Sequence, residues 1–153
     1  MTLTAVGNAF HYFDPQSARV EVERILRPGG RVLLIGHDTV AEPSPFMRAY
    51  IDFIAGVAPR RAWAFHQPDR VAQSLKTFFR GAASHSKDMG DFAFRLTWEA
   101  LRGRFLSTSA APPPEDPGRS EVVSQLSDVF ERFEEEGTVS FQLRWRYTWA
   151  KLR

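Results

Sequence analysis

Cysteine is absent from the 153-residue chain. That excludes a disulfide framework, a thiolate metal site and a cysteine nucleophile. No two of the ten glycines are separated by a single residue, so the chain has no Gly-x-Gly loop. No apolar run approaches the roughly 18 residues that a membrane span needs. An excess of one charge sign is also missing. Lys and Arg number 20 against 18 Asp and Glu, for a net charge of +2, which makes no electrostatic case for nucleic acid or a membrane surface. Met1 to Thr4 lacks the basic start of a secretory signal, so a cytoplasmic location is the default expectation. The histidines at 11, 37, 66 and 85 lack ligand spacing, and no metal is expected. Ser84-His85-Ser86 is expected in a loop without a Gly-x-Ser-x-Gly elbow, so nucleophilic hydrolysis is unsupported.

What remains is a globular composition, 43% hydrophobic and 25% charged, read as one domain over residues 1–153. Leu3 to Ala9 reads as a short buried strand. Asp14-Pro15 is a helix start, with Asp14 as cap and Pro15 at the first helical position. Ala18, Val22, Ile25 and Leu26 then fall on one helical face. Pro28-Gly29-Gly30 stops that helix and turns the chain. Arg31 to Gly36 reads as a strand covered on both faces.

Ser44-Pro45 repeats the cap-and-proline start, before a helix with Met47, Tyr50, Ile51, Ile54 and Val57 on one side. Pro68-Asp69 opens a third helix carrying Val71, Leu75, Phe78 and Phe79. Phe92, Phe94 and Leu96 alternate as a short strand. Thr97 caps a short helix that Gly103 is expected to end. Four prolines mark a loop between Ala110 and Gly118. Ser120 is the expected cap of a helix that Gly137 closes. Val139, Phe141, Leu143, Trp145, Tyr147 and Trp149 then alternate along a final strand, with Ser140, Gln142, Arg144, Arg146 and Thr148 on its other face. The series β-α-β-α-α-β-α-β predicts an α/β fold with helices on both faces of a largely parallel sheet. The last strand is expected to insert antiparallel.

Three segments together resemble a known family. They are Ala9-Phe10-His11-Tyr12-Phe13-Asp14-Pro15, the turn Leu26-Arg27-Pro28-Gly29-Gly30, and the strand Arg31-Val32-Leu33-Leu34. The combination is similar to class I S-adenosylmethionine-dependent methyltransferases of the type 11 group. There an aromatic-His-aromatic-Phe-Asp segment follows the fourth strand, and a Leu-(Arg/Lys)-Pro-Gly-Gly turn precedes the fifth. Thr97-Trp98-Glu99-Ala100-Leu101-Arg102-Gly103, Ser107-Thr108-Ser109 and the aromatic final strand resemble the same group. The resemblance implies a partial Rossmann-like sheet, with strands corresponding to the family's fourth to seventh. It also implies S-adenosylmethionine as cofactor and a small-molecule methyl acceptor. The family's Gly-x-Gly-x-Gly loop and its acidic ribose-binding residue belong to three earlier β-α units. At roughly 30 residues each, those units would add about 90 residues. The expectation is therefore a truncated, C-terminal portion that binds the cofactor poorly alone. The family's first strand would lie beside Leu3 to Ala9, so that edge is expected to be covered by a homodimeric copy or a complementing N-terminal half. A non-catalytic regulatory module and a split-enzyme subunit are the alternatives.

The resemblance places Asn8, Ala9, Phe10, His11 and Phe13 at the cofactor, at the carboxyl ends of the strands where open α/β sheets bind ligands. The other reading is that the aromatics are packing and His11 caps a carbonyl. His11 and His37 are the candidate catalytic histidines. His37 beside Asp38 has the makings of a general base, or of a solvated loop. Methyl transfer relies mainly on proximity and orientation, so a base is optional. Met47 to Val57, Trp63, Phe65 and Trp98 read equally as a substrate lid or as core. The basic residues Arg144, Arg146, Lys151 and Arg153 interleave with the final strand's aromatics. A core face with a polar back is the simpler account than RNA stacking, and neither nucleic acid nor membrane is an expected partner.

Overall fold

A computed structural model describes residues 1–58 and 68–152. The fold is α/β, with four strands in one mixed sheet of order β1-β2-β4-β3. The strands are β1 (Leu3–Gly7), β2 (Arg31–Asp38), β3 (Ser84–Leu96) and β4 (Val139–Lys151). The helices are α1 (Pro15–Ile25), α2 (Pro45–Val57), α3 (Pro68–Phe78), α4 (Trp98–Leu106) and α5 (Arg119–Phe133). β1 and β2 are parallel, and β4 pairs antiparallel with β2, as expected of the last strand. No helix among the described residues is long and apolar enough to cross a membrane. Trp63, Phe65, His66 and Arg153 lie outside the described residues.

The chain divides into two compact units, and β3 and β4 contribute to both. The first comprises Met1–Asp38, Gln67–Asp91 and Arg144–Arg153. Its core is Val22, Leu26, Val32, Leu34, Phe78, Phe79, Ala150 and Leu152. Asp14 caps α1 by accepting the Ser17 N–H at 2.8 Å. Arg19 then ties three elements together. Its guanidinium donates to the carbonyls of Phe78 and Leu152 and pairs with Glu23.

The turn into β2 has a specific chemistry. Gly30 N–H donates to the Arg27 carbonyl at 2.8 Å, and Gly29 between them has φ 76. Proline second and a positive-φ glycine third is the residue pattern of a type II turn. Gly30 is needed for a different reason: a Cβ there would lie 2.8 Å from the Arg27 oxygen.

The second unit comprises Thr39–His66 and Phe92–Leu143. Phe46, Met47, Tyr50, Leu101, Phe105, Leu126, Phe130, Val139 and Phe141 form most of its core. Ser44 and Thr97 cap α2 and α4, accepting from Met47 and Ala100. The Arg104 guanidinium lies 4.4 Å above the Phe141 ring. Trp98 packs on Phe130 at 5.8 Å, so it is a core contact here.

Several sequence expectations are corrected. Ser84-His85-Ser86 is strand, because β3 runs 13 residues rather than the short span around Phe92 to Leu96. Its N-terminal half is polar and exposed, which hid it from a hydrophobic pattern. Gly103 does not end α4, which continues to Leu106. Gly118, not Ser120, is the N-cap of α5, without a side-chain bond. That helix ends at Phe133, and Gly137 serves a tight turn instead. Glu136 and Gly137 have φ 52 and 73 between the mutually bonded Glu135 and Thr138, as a type I′ turn requires.

β2 buries only alternate residues: Val32 and Leu34 are core, whereas Ile35 is 37% exposed. β4 changes its buried face along its length. Val139, Phe141 and Leu143 are buried in its first part, Thr148 and Ala150 in its second. Trp145, Tyr147 and Trp149 are therefore half-buried and outside both cores. Lys151 shares their face, since register pairs Lys151 with Arg31 and Trp149 with Leu33.

Candidate functional site

The carboxyl ends of β1 and β2 lie side by side, which follows from their parallel register ending at Gly7↔Ile35. Asn8 leaves β1 with φ 49. Asparagine tolerates this left-handed conformation better than most residues. Its N–H donates to the Ile35 carbonyl at 2.7 Å, and its side-chain Nδ2 lies 3.0 Å from His37 Nε2. An amide nitrogen can only donate, so in this arrangement Nε2 is the acceptor. The opposite edge of that arrangement is Trp145, whose ring meets His37 at 5.3 Å and 71°.

Beyond Asn8 the chain makes a single 3₁₀ turn over Phe10–Tyr12. Tyr12 and Phe13 N–H groups donate to the Ala9 and Phe10 carbonyls. Phe10 turns inward, edge-on to Phe78 at 5.1 Å, and packs partly buried against the first unit's core. Tyr12 and Phe13 stay open, 69% and 45% exposed. The His11 ring contacts Tyr12 at 4.0 Å. Partial burial lowers its pKa below the usual histidine value, which favours the neutral ring.

The structure thus brings Asn8 to His37, and places Ala9, Phe10, His11 and Phe13 on the loop that follows. Asp38 is 3.7 Å from Arg146, and strand alternation puts it on the opposite face of β2 from His37. One neighbouring feature was not read from the sequence. Arg144 bonds Asp91 through two nitrogens, and both Arg144 and Arg146 approach Asp88 at 3.9 Å. The alternate arginines of β4 were the available signal, but their partners lie on a strand half expected to be loop.

At the other end of β2, Arg31, Ala83, His85, Trp149, Ala150 and Lys151 line a cleft of about 310 Å³. It contains none of the predicted site residues. Among the described residues the candidate site offers aromatic rings, an amide and two imidazoles. Asp14, the nearest acid in sequence, is committed to capping α1. S-adenosylmethionine would need ribose and methionine partners that these residues do not supply.

No protein-family model and no curated protein matches the chain. Solved structures do share its course at low identity. A candidate methyltransferase from Bacillus halodurans C-125 is 17% identical with TM-score 0.48, covering 99% of this chain and 64% of its own. A candidate type II methyltransferase from Anaeromyxobacter dehalogenans is 16% identical with TM-score 0.49, covering 97% and 62%. Phosphoethanolamine N-methyltransferase 2 of Haemonchus contortus, solved with S-adenosyl-L-methionine, is 16% identical with TM-score 0.40, covering 99% and 33%. The chain spans less than two thirds of each of these structures. At this similarity neither chemistry nor substrate transfers from them.

Proposed function

We propose that the chain is the strand-four-to-seven portion of a class I methyltransferase-like protein of the type 11 group, which acts on a small molecule only when a complementing half supplies the rest of the cofactor site. The observation that carries this reading is the junction at Asn8. The segment resembling the family signature, Phe10 to Asp14, follows directly from the carboxyl end of β1. There Asn8 is bonded to His37 at the end of the neighbouring parallel strand. The antiparallel entry of β4 beside β2 further supports the reading.

In this reading the cofactor, when bound, supplies a sulfonium methyl group. The chain's own residues orient the reactants. Tyr12, Phe13 and His11 border the cofactor, and Asn8 fixes the His37 ring on the acceptor side. Because His37 Nε2 is held by Asn8, orientation is the role it fills at rest, and proton removal would require that bond to open.

The test fuses the three N-terminal β-α units of a complete type 11 methyltransferase before Met1, with circular dichroism to establish that the fusion folds. Saturable S-adenosylhomocysteine binding by the fusion, weakened at least about tenfold by Phe13→Ala, is expected. A folded fusion that binds nothing, or binds equally well with Phe13→Ala, would overturn the reading.

A further inference from the structure

Within the first unit the two faces of the sheet differ in charge. The acidic residues of the four strands are Asp38, Asp88 and Asp91. All three pair with Arg144 or Arg146 of β4. Alternation puts Arg144 and Arg146 on one face and Trp145, Tyr147, Trp149 and Lys151 on the other. Every strand carboxylate is therefore engaged on the first face, and the aromatic face carries cations without them.

Two of those cations are set against each other. Register pairs Arg31 of β2 with Lys151 of β4, which brings their Cβ atoms to roughly 4.5–5.5 Å. Like charges directly opposite destabilise a strand pair. Both residues are exposed, and neither has an ion pair among the described residues. Beside them Trp149 stacks on His85, with centroids 5.3 Å apart and planes 27° apart. One residue along, the Ser86 and Thr148 hydroxyls bond at 2.8 Å and hold β3 against β4. With Ala83 and Ala150, these four side chains line the cleft of about 310 Å³. Its wall thus combines a ring surface, two small apolar residues and two positive charges.

We propose that this cleft binds a planar aromatic phosphate of mononucleotide size. The ring packs on the Trp149–His85 stack, since any base offers a π-face to an aromatic side chain. The phosphate lies between Arg31 and Lys151. Its charge, close to two negative units at neutral pH, matches the two cations. The guanidinium offers two parallel donors to the phosphate oxygens, and the ammonium acts as a point charge. Binding relieves the repulsion between the paired cations. The cleft's volume is at the lower end of the range for small-molecule sites, which suits one nucleotide and not a dinucleotide.

The cleft is separate from the Asn8–His37 junction. Arg31 and His37 are six residues apart along β2, roughly 20 Å in a strand. The inference therefore does not rest on the methyltransferase reading.

Calorimetric titration of the 153-residue chain with adenosine monophosphate tests the proposal, with adenosine and inorganic phosphate as separate arms. The nucleotide should bind saturably and one-to-one. Each fragment should bind at least about tenfold more weakly, because each meets only half of the cleft's chemistry. Lys151→Ala should weaken nucleotide binding by about tenfold or more. Lys87 is an exposed cation on the same face but does not line the cleft, so Lys87→Ala should change little. Trp149→Leu should reduce the nucleotide to the affinity of inorganic phosphate. Lys151→Glu turns a like-charge pair into an opposite one, so it should abolish nucleotide binding while raising the urea midpoint. That rise separates loss of the site from loss of the fold. Absence of saturable nucleotide binding, equal affinity for the nucleotide and either fragment, equal losses from Lys87→Ala and Lys151→Ala, or a lowered midpoint for Lys151→Glu would overturn the proposal. S-adenosylmethionine carries no phosphate, so a negative result here leaves the cofactor test standing.

Discussion

Replacing Gly30 with alanine probes the turn that sets the register of β1 on β2, and through it the Asn8–His37 bridge. A Cβ at Gly30 would lie 2.8 Å from the Arg27 carbonyl oxygen, 3.0 Å from Leu26 Cδ2 and 3.2 Å from Leu26 Cβ. The first of these atoms is backbone and is already hydrogen-bonded to Gly30 N–H, so relief requires the turn itself to move. Leu26 is 4% exposed and belongs to the first unit's core, so it has little room to yield. Overpacking of this kind costs about 1–3 kcal/mol.

Gly29→Ala is a useful contrast. Nothing lies within 4 Å of a Cβ there, but φ is 76, so its cost is backbone strain alone, about 1 kcal/mol. Gly36→Ala in β2 has neither problem and should change stability by no more than about 0.5 kcal/mol. With a urea slope of about 2 kcal/mol/M, a 2 kcal/mol loss lowers the midpoint by about 1 M. Urea titration followed by tryptophan fluorescence would rank the three variants. The expected order of damage is Gly30, then Gly29, then Gly36. Equal midpoints for Gly30→Ala and Gly36→Ala would refute the reasoning, and so would a Gly29→Ala variant less stable than Gly30→Ala.

Three further outcomes follow from particular side chains. Phe105 is fully buried in the second unit, so Phe105→Ala should cost about 3–5 kcal/mol, measured by thermal melting. Burial pushes the Tyr50 phenol up to about 12; because the unfolded phenol ionises near 10, stability should fall as pH rises from about 10 and level off above about 12, and Tyr50→Phe should remove that slope from the melting profile. Backbone and side-chain hydrogen bonds from Ser17 lower the Asp14 pKa, so this cap contributes stability above the ordinary carboxylate range that is lost as pH falls through its folded value; Asp14→Asn, which keeps a capping oxygen, should flatten that acid limb in pH-dependent melts.

Much of the framework was legible because it rests on local chemistry. Asp14-Pro15, Ser44-Pro45 and Thr97 announce helix starts through side chains that bond to the next turn, and all three do so. The Pro28-Gly29-Gly30 turn needs only its own residue types. The failures share a different cause. The N-terminal half of β3 is polar on both sides because it lies at the sheet's edge, so no alternation marks it. The apparent core face of β4 was inferred from aromatic spacing, but burial depends on which helices cover each half. Thr148 and Ala150 therefore replace Tyr147 and Trp149 as buried residues. At the site, Asn8 and His37 were each placed at a strand end by sequence. Their bond depends on the β1–β2 register and was not visible there.

The central claim is that these residues form one wall of a cofactor site and not the whole of it. Calorimetric titration of S-adenosylmethionine into the isolated 153-residue chain tests it most directly. The account predicts no saturable heat. Saturable one-to-one binding would contradict it, because the chain would then hold the cofactor without any Gly-x-Gly loop.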